Sequence, residues 1–109
     1  MSFIYKTNSI PDIENIITVY ESSGINRPTK DKERISKMYK HANLVVTAWH
    51  KDELVGIARS LTDFCYCCYL SDLAVKKEYQ HMGIGERLIE ITKQQIGEQS
   101  MLLLLSSPE

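Results

Sequence analysis

The chain has 109 residues, 43% of them apolar and 25% charged, a balance that fits one globular domain and leaves no room for a second. A chain of this size buries roughly 65% of the surface it exposes when unfolded, so one core suffices without disulfide or metal staples. Thirteen Lys and Arg against fourteen Asp and Glu give a net charge of -1, and no segment gathers the basic excess that a phosphate backbone would require. Nucleic acid is therefore not expected as a partner. The longest apolar run, Phe64 to Leu70, is seven residues, well short of the ~20 that cross a bilayer. The start, MSFIYKTN, lacks a basic-then-apolar signal, so a cytoplasmic chain with no membrane partner is expected.

Phe3 to Lys6 reads as a short strand closed by Thr7, Asn8 and Ser9. Helical spacing follows: Ser9 is a candidate cap, Pro11 sits in the first turn, and Ile13, Ile16, Ile17 and Tyr20 recur at i, i+3, i+4 and i+7, with Gly24 as the stop. A second helix is predicted from near Thr29, with Ile35, Met38, Tyr39 and Ala42 on one face. Leu44 to Trp49 and Leu54 to Arg59 read as a hairpin joined by His50 to Glu53. A longer strand is predicted from Cys65 to Val75, its apolar pattern broken only by Ser71 and Asp72. Period-2 alternation would group Tyr69, Ser71 and Leu73 on one face and Leu70, Asp72 and Ala74 on the other. A third helix opens at Gly83-Ile84-Gly85, carries Ile84, Leu88 and Ile91 on its apolar stripe, and ends at Gly97. Met101 to Leu105 is a continuous apolar run, expected to be a parallel strand covered on both faces. The order β-α-α-β-β-β-α-β describes an α/β (α+β) domain with a mixed sheet.

All three cysteines fall in Cys65-Tyr66-Cys67-Cys68. An odd count in one cluster makes no disulfide framework, and the spacing lacks the paired ligands of a zinc site, so no metal is expected. They read as small apolar fillers of a strand in a reducing compartment.

Gln80-His81-Met82-Gly83-Ile84-Gly85 lies between a strand and a helix. Amides at a helix start are unpaired and carry the positive end of the helix dipole, which suits a phosphate or pyrophosphate, and glycines let the ligand approach. A Walker loop would need G-x-x-x-x-G-K-[ST], but Gly85 is followed by Glu86 and Arg87. A dinucleotide fingerprint would need a third glycine at Leu88, and seven residues separate Val75 from Gly83.

The hexapeptide QHMGIG resembles the [RQ]-x-x-G-x-[GA] signature of the GNAT superfamily of N-acetyltransferases, which follows a strand and opens a helix. Ser71 to Tyr79 is similar to the family's strand and loop before that motif, Leu54 to Ala58 to its preceding strand, and the likeness spans about residues 3 to 106. The resemblance implies acetyl-CoA as cosubstrate. It implies a pyrophosphate held by Gln80, His81, Met82, Gly83, Ile84 and Gly85, with Glu86 at the helical edge of the loop. It also implies a pantetheine arm paired with the backbone of Leu73, Ala74 and Val75, with the thioester between Leu73 to Val75 and Leu103 to Ser106.

Acyl transfer to an amine needs a neutral nucleophile, a donor to the developing oxyanion and a proton for the departing thiolate. The backbone amide of Leu73 is the candidate oxyanion donor. Asp72 is the one carboxylate inside the apolar part of the central strand, and burial would raise its pKa toward that of a general base; otherwise it points away from the cleft and accepts hydrogen bonds from a loop. Some family members carry a catalytic glutamate where this sequence has Tyr69, so that role does not carry over. Arg27, between the first two helices, is a candidate receiver for a substrate carboxylate or phosphate. Lys76, Lys77 and Arg87 flank the glycine loop, either as attractors of a 3'-phosphate or as plain surface charges.

The expected function is acetyl transfer from acetyl-CoA to a small-molecule amine. A CoA-binding module without turnover and a nucleotide-phosphate binder are the rival readings. Family members usually continue past the strand resembling Met101 to Leu105 with a helix and two strands. Ser106 to Glu109 holds neither, so either a second subunit in a homodimer covers that strand or the chain is a shortened form with impaired turnover.

Overall fold

The computed structural model describes residues 2–104. Its elements follow the expected order: β1 (Ile4–Thr7), α1 (Ile13–Ser23), α2 (Lys32–His41), β2 (Leu44–His50), β3 (Glu53–Thr62), β4 (Cys67–Val75), α3 (Ile84–Ile96) and β5 (Met101–Leu104), with a 3-10 turn at Lys77–Tyr79. The five strands form one sheet in sequence order. Neighbours β1 to β4 are antiparallel and β5 runs parallel to β4, which gives the mixed α/β sheet expected.

Helix boundaries fall close to the expected positions. The α1 N-cap is Asp12, not Ser9, so Pro11 precedes the helix, and Gly24 ends it in the left-handed conformation (φ 84°). The α2 N-cap is Asp31, whose carboxylate accepts a 3.0 Å hydrogen bond from the Arg34 amide; the helix thus starts after the predicted Thr29. The turn between β3 and β4 is organised by Asp63, whose Oδ1 accepts from the amides of Cys65, Tyr66 and Cys67 at 2.8 to 3.0 Å. Those bonds hold its carboxyl below the usual range. They also delay the strand to Cys67. Cys68 fills the core as predicted, but Cys65 and Cys67 are exposed.

The sheet separates two cores. Ile16, Val19 and Tyr20 of α1 and Ile35 and Tyr39 of α2 pack on Val45, Leu54, Ile57 and Ala74. On the other face Ile84, Leu88, Ile91 and Ile96 of α3 pack on Leu44, Val46, Ala48, Ala58, Cys68 and Leu70. Burying each such aliphatic side chain contributes about 1.5 to 3 kcal/mol. The outer strand is covered less than predicted: Met101 and Leu103 are 58% and 53% exposed, because α1 and α2 pack over β3 and β4 and stop short of β5.

Two local departures from regular sheet structure shape the ends of β3 and β4. The register of β3 and β4 pairs Arg59 with Asp72 and Ser60 with Leu70, so Ser71 is an extra residue, a β-bulge. It reverses the strand's parity. Cys68 and Leu70 before it face α3, and so do Leu73 and Val75 after it, whereas Ala74 lies in the α1/α2 core. The predicted grouping of Leu70 with Asp72 and Ala74 is therefore corrected by one inserted residue. The second departure is Gly56, where an added Cβ would lie 3.1 Å from Ile84 Cγ2 and 3.2 Å from Leu88 Cδ1. Glycine lets α3 settle close onto β3. Gly56→Ala is expected to destabilise the fold by about 1 to 3 kcal/mol through this crowding, read as a lower urea midpoint with an unchanged slope.

Candidate active site

The glycine loop enters α3 through Gly83, itself in the left-handed region at φ 84°, after His81 at φ 66°. Gly83 has no side chain to cap the helix, and the first helical bond runs from the Arg87 amide to the Gly83 carbonyl at 3.0 Å. The amides of Ile84, Gly85 and Glu86 thus precede any intrahelical acceptor. A Cβ on Gly83 would meet nothing within 4 Å, and one on Gly85 would meet only Val75 Cγ2 at 4.0 Å. Open space lies in front of these amides. It belongs to a cleft of about 350 Å³ lined by Val75, Tyr79, Gln80, His81, Gly83, Ile84, Gly85 and Glu86. Gln80 Nε2 donates to the Val75 carbonyl at 3.0 Å and ties the loop back to the end of β4.

The strand beside this cleft has two different edges. Pairing of β4 with β5 runs from Cys67 opposite Met101 to Leu70 opposite Leu104. From Ser71 to Val75, β4 keeps β3 on one side and has no strand partner on the other among the described residues. An extended group with alternating donors and acceptors can add there as a further strand would.

Beneath the bulge lies a buried polar cluster. Asp72 is fully buried, with Arg27 Nε on Oδ1 at 2.5 Å and Arg59 Nε on Oδ2. Tyr20 donates its hydroxyl to Oδ2 at 2.7 Å, and Ser71 Oγ donates to Oδ1 at 3.2 Å. Since the single Tyr20 proton goes to Asp72, the Tyr39 hydroxyl donates to the Tyr20 oxygen. All four acceptor positions of the carboxylate are filled. Burial alone would push the Asp72 pKa up, but the hydrogen bonds from Arg59, Tyr20 and Arg27, with the charge of Arg59, hold it below the usual carboxylate range. Burial, and after it the neighbouring Tyr39 and Asp72, pushes Tyr20 up, so it stays a protonated donor. Two guanidiniums around one carboxylate leave the cluster with a charge of +1.

This assembly of an open helix start and a mixed five-stranded sheet has relatives. The family described as "Acetyltransferase (GNAT) domain" matches residues 16–108. The chain belongs to the GNAT acetyltransferase family. Among solved structures it is similar to a GNAT family acetyltransferase of Streptococcus pneumoniae, with a TM-score of 0.82 and 22% identity, covering 99% of this chain and 78% of that one. A Staphylococcus aureus protein described as a probable acetyltransferase superimposes with a TM-score of 0.81 at 26% identity, covering 95% and 80% of the two chains. The PaiA N-acetyltransferase of Thermoplasma acidophilum, solved with coenzyme A, gives 0.67 at 23% identity over 88% and 72%. Curated protein sequences include no significant match.

In this GNAT domain the cleft gathers Val75, Gln80, His81, Gly83, Ile84, Gly85 and Glu86 of the residues singled out from sequence. Met82 is exposed outside its lining, Leu73 lies farther along β4, and the Ala74 side chain is buried against α1 and α2. Ser106 falls outside the described residues, and Leu103 pairs with Tyr69, ahead of the bulge. Tyr79 is a lining residue the motif did not announce; its hydroxyl donates to Glu53 at 3.2 Å. Lys76 is spent on Glu53 at 2.8 Å and Arg87 on Glu90, which accounts for two of the flanking cations as surface ion pairs. The expectation that burial makes Asp72 a base of raised pKa is corrected: its pKa falls, and it has no free lone pair for an incoming proton. Arg27 donates to Asp72, to the Ser71 carbonyl at 2.8 Å and to the Asn26 carbonyl at 2.7 Å, three of its five N–H groups, and its side chain remains 25% exposed. Sequence reading missed Arg59, Tyr20 and Tyr39 as members of this cluster. An arginine ending an apolar strand was the one signal available.

The lowered pKa has a definite sign for stability. The contribution of Asp72 is fully present above the unfolded carboxylate value near 4 and is lost as pH falls through the lower folded value. Asp72→Asn is expected to cost about 3 kcal/mol or more at neutral pH, by leaving two guanidiniums without their counter-charge, and to flatten the stability profile below about pH 4. Urea titrations of both proteins from pH 7 down to the acid transition check this.

Proposed function

We propose that this acetyltransferase is an N-acetyltransferase that moves an acetyl group from acetyl-CoA to the amine of a small-molecule acceptor, within a single domain spanning residues 1–109. The observation that carries the reading is the uncapped start of α3, with open space in front of Gly83 and Gly85, set beside the end of β4 at Val75. Pyrophosphate charge suits the amides of the loop from Gln80 to Gly85, where the helix dipole adds to the hydrogen bonds. The carboxylate of Glu86 sits at the rim of that loop. A pantetheine arm suits the backbone of Leu73, Ala74 and Val75, which explains why apolar side chains suffice there.

When bound, acetyl-CoA supplies the thioester; this chain's part is to hold it and to meet charge where charge develops. The Leu73 amide, just after the bulge, is assigned as donor to the oxyanion. With Asp72 ionised and saturated, no residue of the buried cluster takes the proton of the amine. Tyr20 and Tyr39 hold their protons even more firmly than free phenols, since burial raises both pKa values. The acceptor therefore enters as the free amine; its nitrogen bonds the acetyl carbon as the C–S bond breaks, and the proton the nitrogen then gives up to solvent balances the one the departing thiolate takes from it. No metal enters this scheme.

Gly85→Asp puts a carboxylate where the pyrophosphate is expected, and calorimetry should show CoA affinity falling by about a hundredfold or more. A folded variant with wild-type affinity would sink the site. Thiol release from acetyl-CoA with a panel of amines separates the enzyme from its alternative, a CoA-binding module, favoured to the extent that Asp72 offers no base. CoA binding without thiol release for any acceptor assigns the module.

The same reading puts the protein in the cytoplasm, where cysteines such as exposed Cys65 and Cys67 stay reduced. It also makes the protein a homodimer. Leu61, Tyr69 and Leu103 lie in register across β3, β4 and β5, and each is 37% to 53% exposed, an apolar row that a second copy would cover. Sedimentation at micromolar concentration should give twice the chain mass, and Leu103→Lys should return it to the monomer.

A further inference from the structure

Neutralising a buried charge would need only contacts to Asp72, yet both arginines also reach the bulge. Arg27 bonds Asp72 Oδ1 through Nε at 2.5 Å and donates from Nη2 to the Ser71 carbonyl at 2.8 Å. Arg59 bonds Asp72 Oδ2 through Nε and donates from Nη2 to Ser71 Oγ at 3.1 Å. Each planar fork therefore ties the inserted residue to the residue after it, and the two forks work from opposite oxygens of one carboxylate. They arrive from different elements, Arg27 from the loop between α1 and α2 and Arg59 from β3, while Tyr20 adds a third hold from α1.

The place of this clamp in the strand gives it a purpose. A bulge interrupts the ladder and leaves its extra residue without a cross-strand partner, so the local backbone is free to shift unless side chains fix it. Among the described residues the bulge directly follows Leu70, which pairs with Leu104 of β5. Leu73 is the second residue after Ser71, so the direction of its amide follows most closely from how that bulge is held.

We propose that Arg27, Arg59 and Asp72 are positioning residues for acetyl transfer, fixing the Ser71 bulge and through it the direction of the Leu73 backbone. This rests on the acyl-CoA reading above. The three side chains act through the main chain and need not touch the reacting atoms. A donor aimed in advance at the oxyanion avoids reorganisation during the reaction, so a clamp on its backbone acts on kcat and leaves ground-state binding of the cosubstrate largely unchanged. Lysine cannot replace Arg27, because one planar fork serves two acceptors on adjacent residues.

Hydrogen exchange read by mass spectrometry on the peptide from Leu70 to Val75 tests this in Arg27→Met and Arg27→Lys, alongside CoA calorimetry and thiol release from acetyl-CoA. In both variants exchange of that peptide is expected to accelerate by about tenfold, with α3 unchanged and CoA affinity within about threefold of wild type. For any amine that reacts, kcat should fall by about tenfold or more while the acetyl-CoA KM moves less than about threefold. Arg27→Lys keeps the charge beside Asp72, so it reports on the fork even where Arg27→Met does not fold. Wild-type exchange from Leu70 to Val75 in both variants overturns the proposal, and so does acceleration spread over the whole sheet, which marks general loss of structure. A rise in KM matching the loss in kcat/KM overturns it too. A wild-type protein that binds no CoA removes the acyl-CoA reading and with it the catalytic purpose; exchange in the free protein then still decides whether the clamp holds the bulge.

Discussion

A carboxylate buried out of reach of water is costly unless every lone pair is used and a counter-charge is near. Asp72 meets both conditions through residues from four places in the chain: Tyr20 on α1, Arg27 in the following loop, Arg59 on β3 and its neighbour Ser71. Those contacts, with the bond from Arg59 to the Met38 carbonyl of α2, tie the α1/α2 layer to the centre of the sheet with directional bonds, beside the non-directional packing of Ile16, Val19, Ile35 and Ile57. The cluster is thus the point at which this layer is given a fixed register over β3 and β4. A carboxamide of the same shape would fill the space without supplying the charge.

The same contacts connect the core to the site. Because Ser71 is inserted, the strand changes which side chains face α3, and Leu73 and Val75 join that layer while Asp72 turns to the other. The parity change lets one short strand hold a buried ion cluster on one side and line the α3 face on the other. Gly56 completes the geometry by letting Ile84 and Leu88 approach β3, which brings the start of α3 close to the end of β4. The Gln80 side chain then closes the loop on the Val75 carbonyl. The cleft of the GNAT domain arises from these three local events: an inserted residue, a missing Cβ and a side-chain tie.

Much of this was legible in the chain itself. Hydrophobic spacing located each helix and strand, and Gly24 and Gly97 marked the ends of α1 and α3 because a left-handed or unusual backbone conformation favours glycine there. QHMGIG announced an uncapped helix start with open space before it, since the requirement for small residues there is local. Exact helix starts were less legible: α1 begins after Asp12, whose side chain makes no capping bond, and α2 after Asp31, whose carboxylate caps it. Exposure of Met101 and Leu103 could not be read from their apolar run, which describes the residues and says nothing of the layer above them.

The pKa of Asp72 shows where sequence stops and tertiary structure begins. Sequence determined that one carboxylate would lie within the apolar part of the central strand, and therefore that its environment would decide its chemistry. The direction of the shift depended on partners up to 52 residues away in the chain, and on a one-residue bulge that no alternation pattern reveals. Local signals, the period of the side chains and the conformational demands of glycine, act over a few residues and are written in order. Pairing of charges and strand register arise only when distant segments meet, and there the folded chain alone decides.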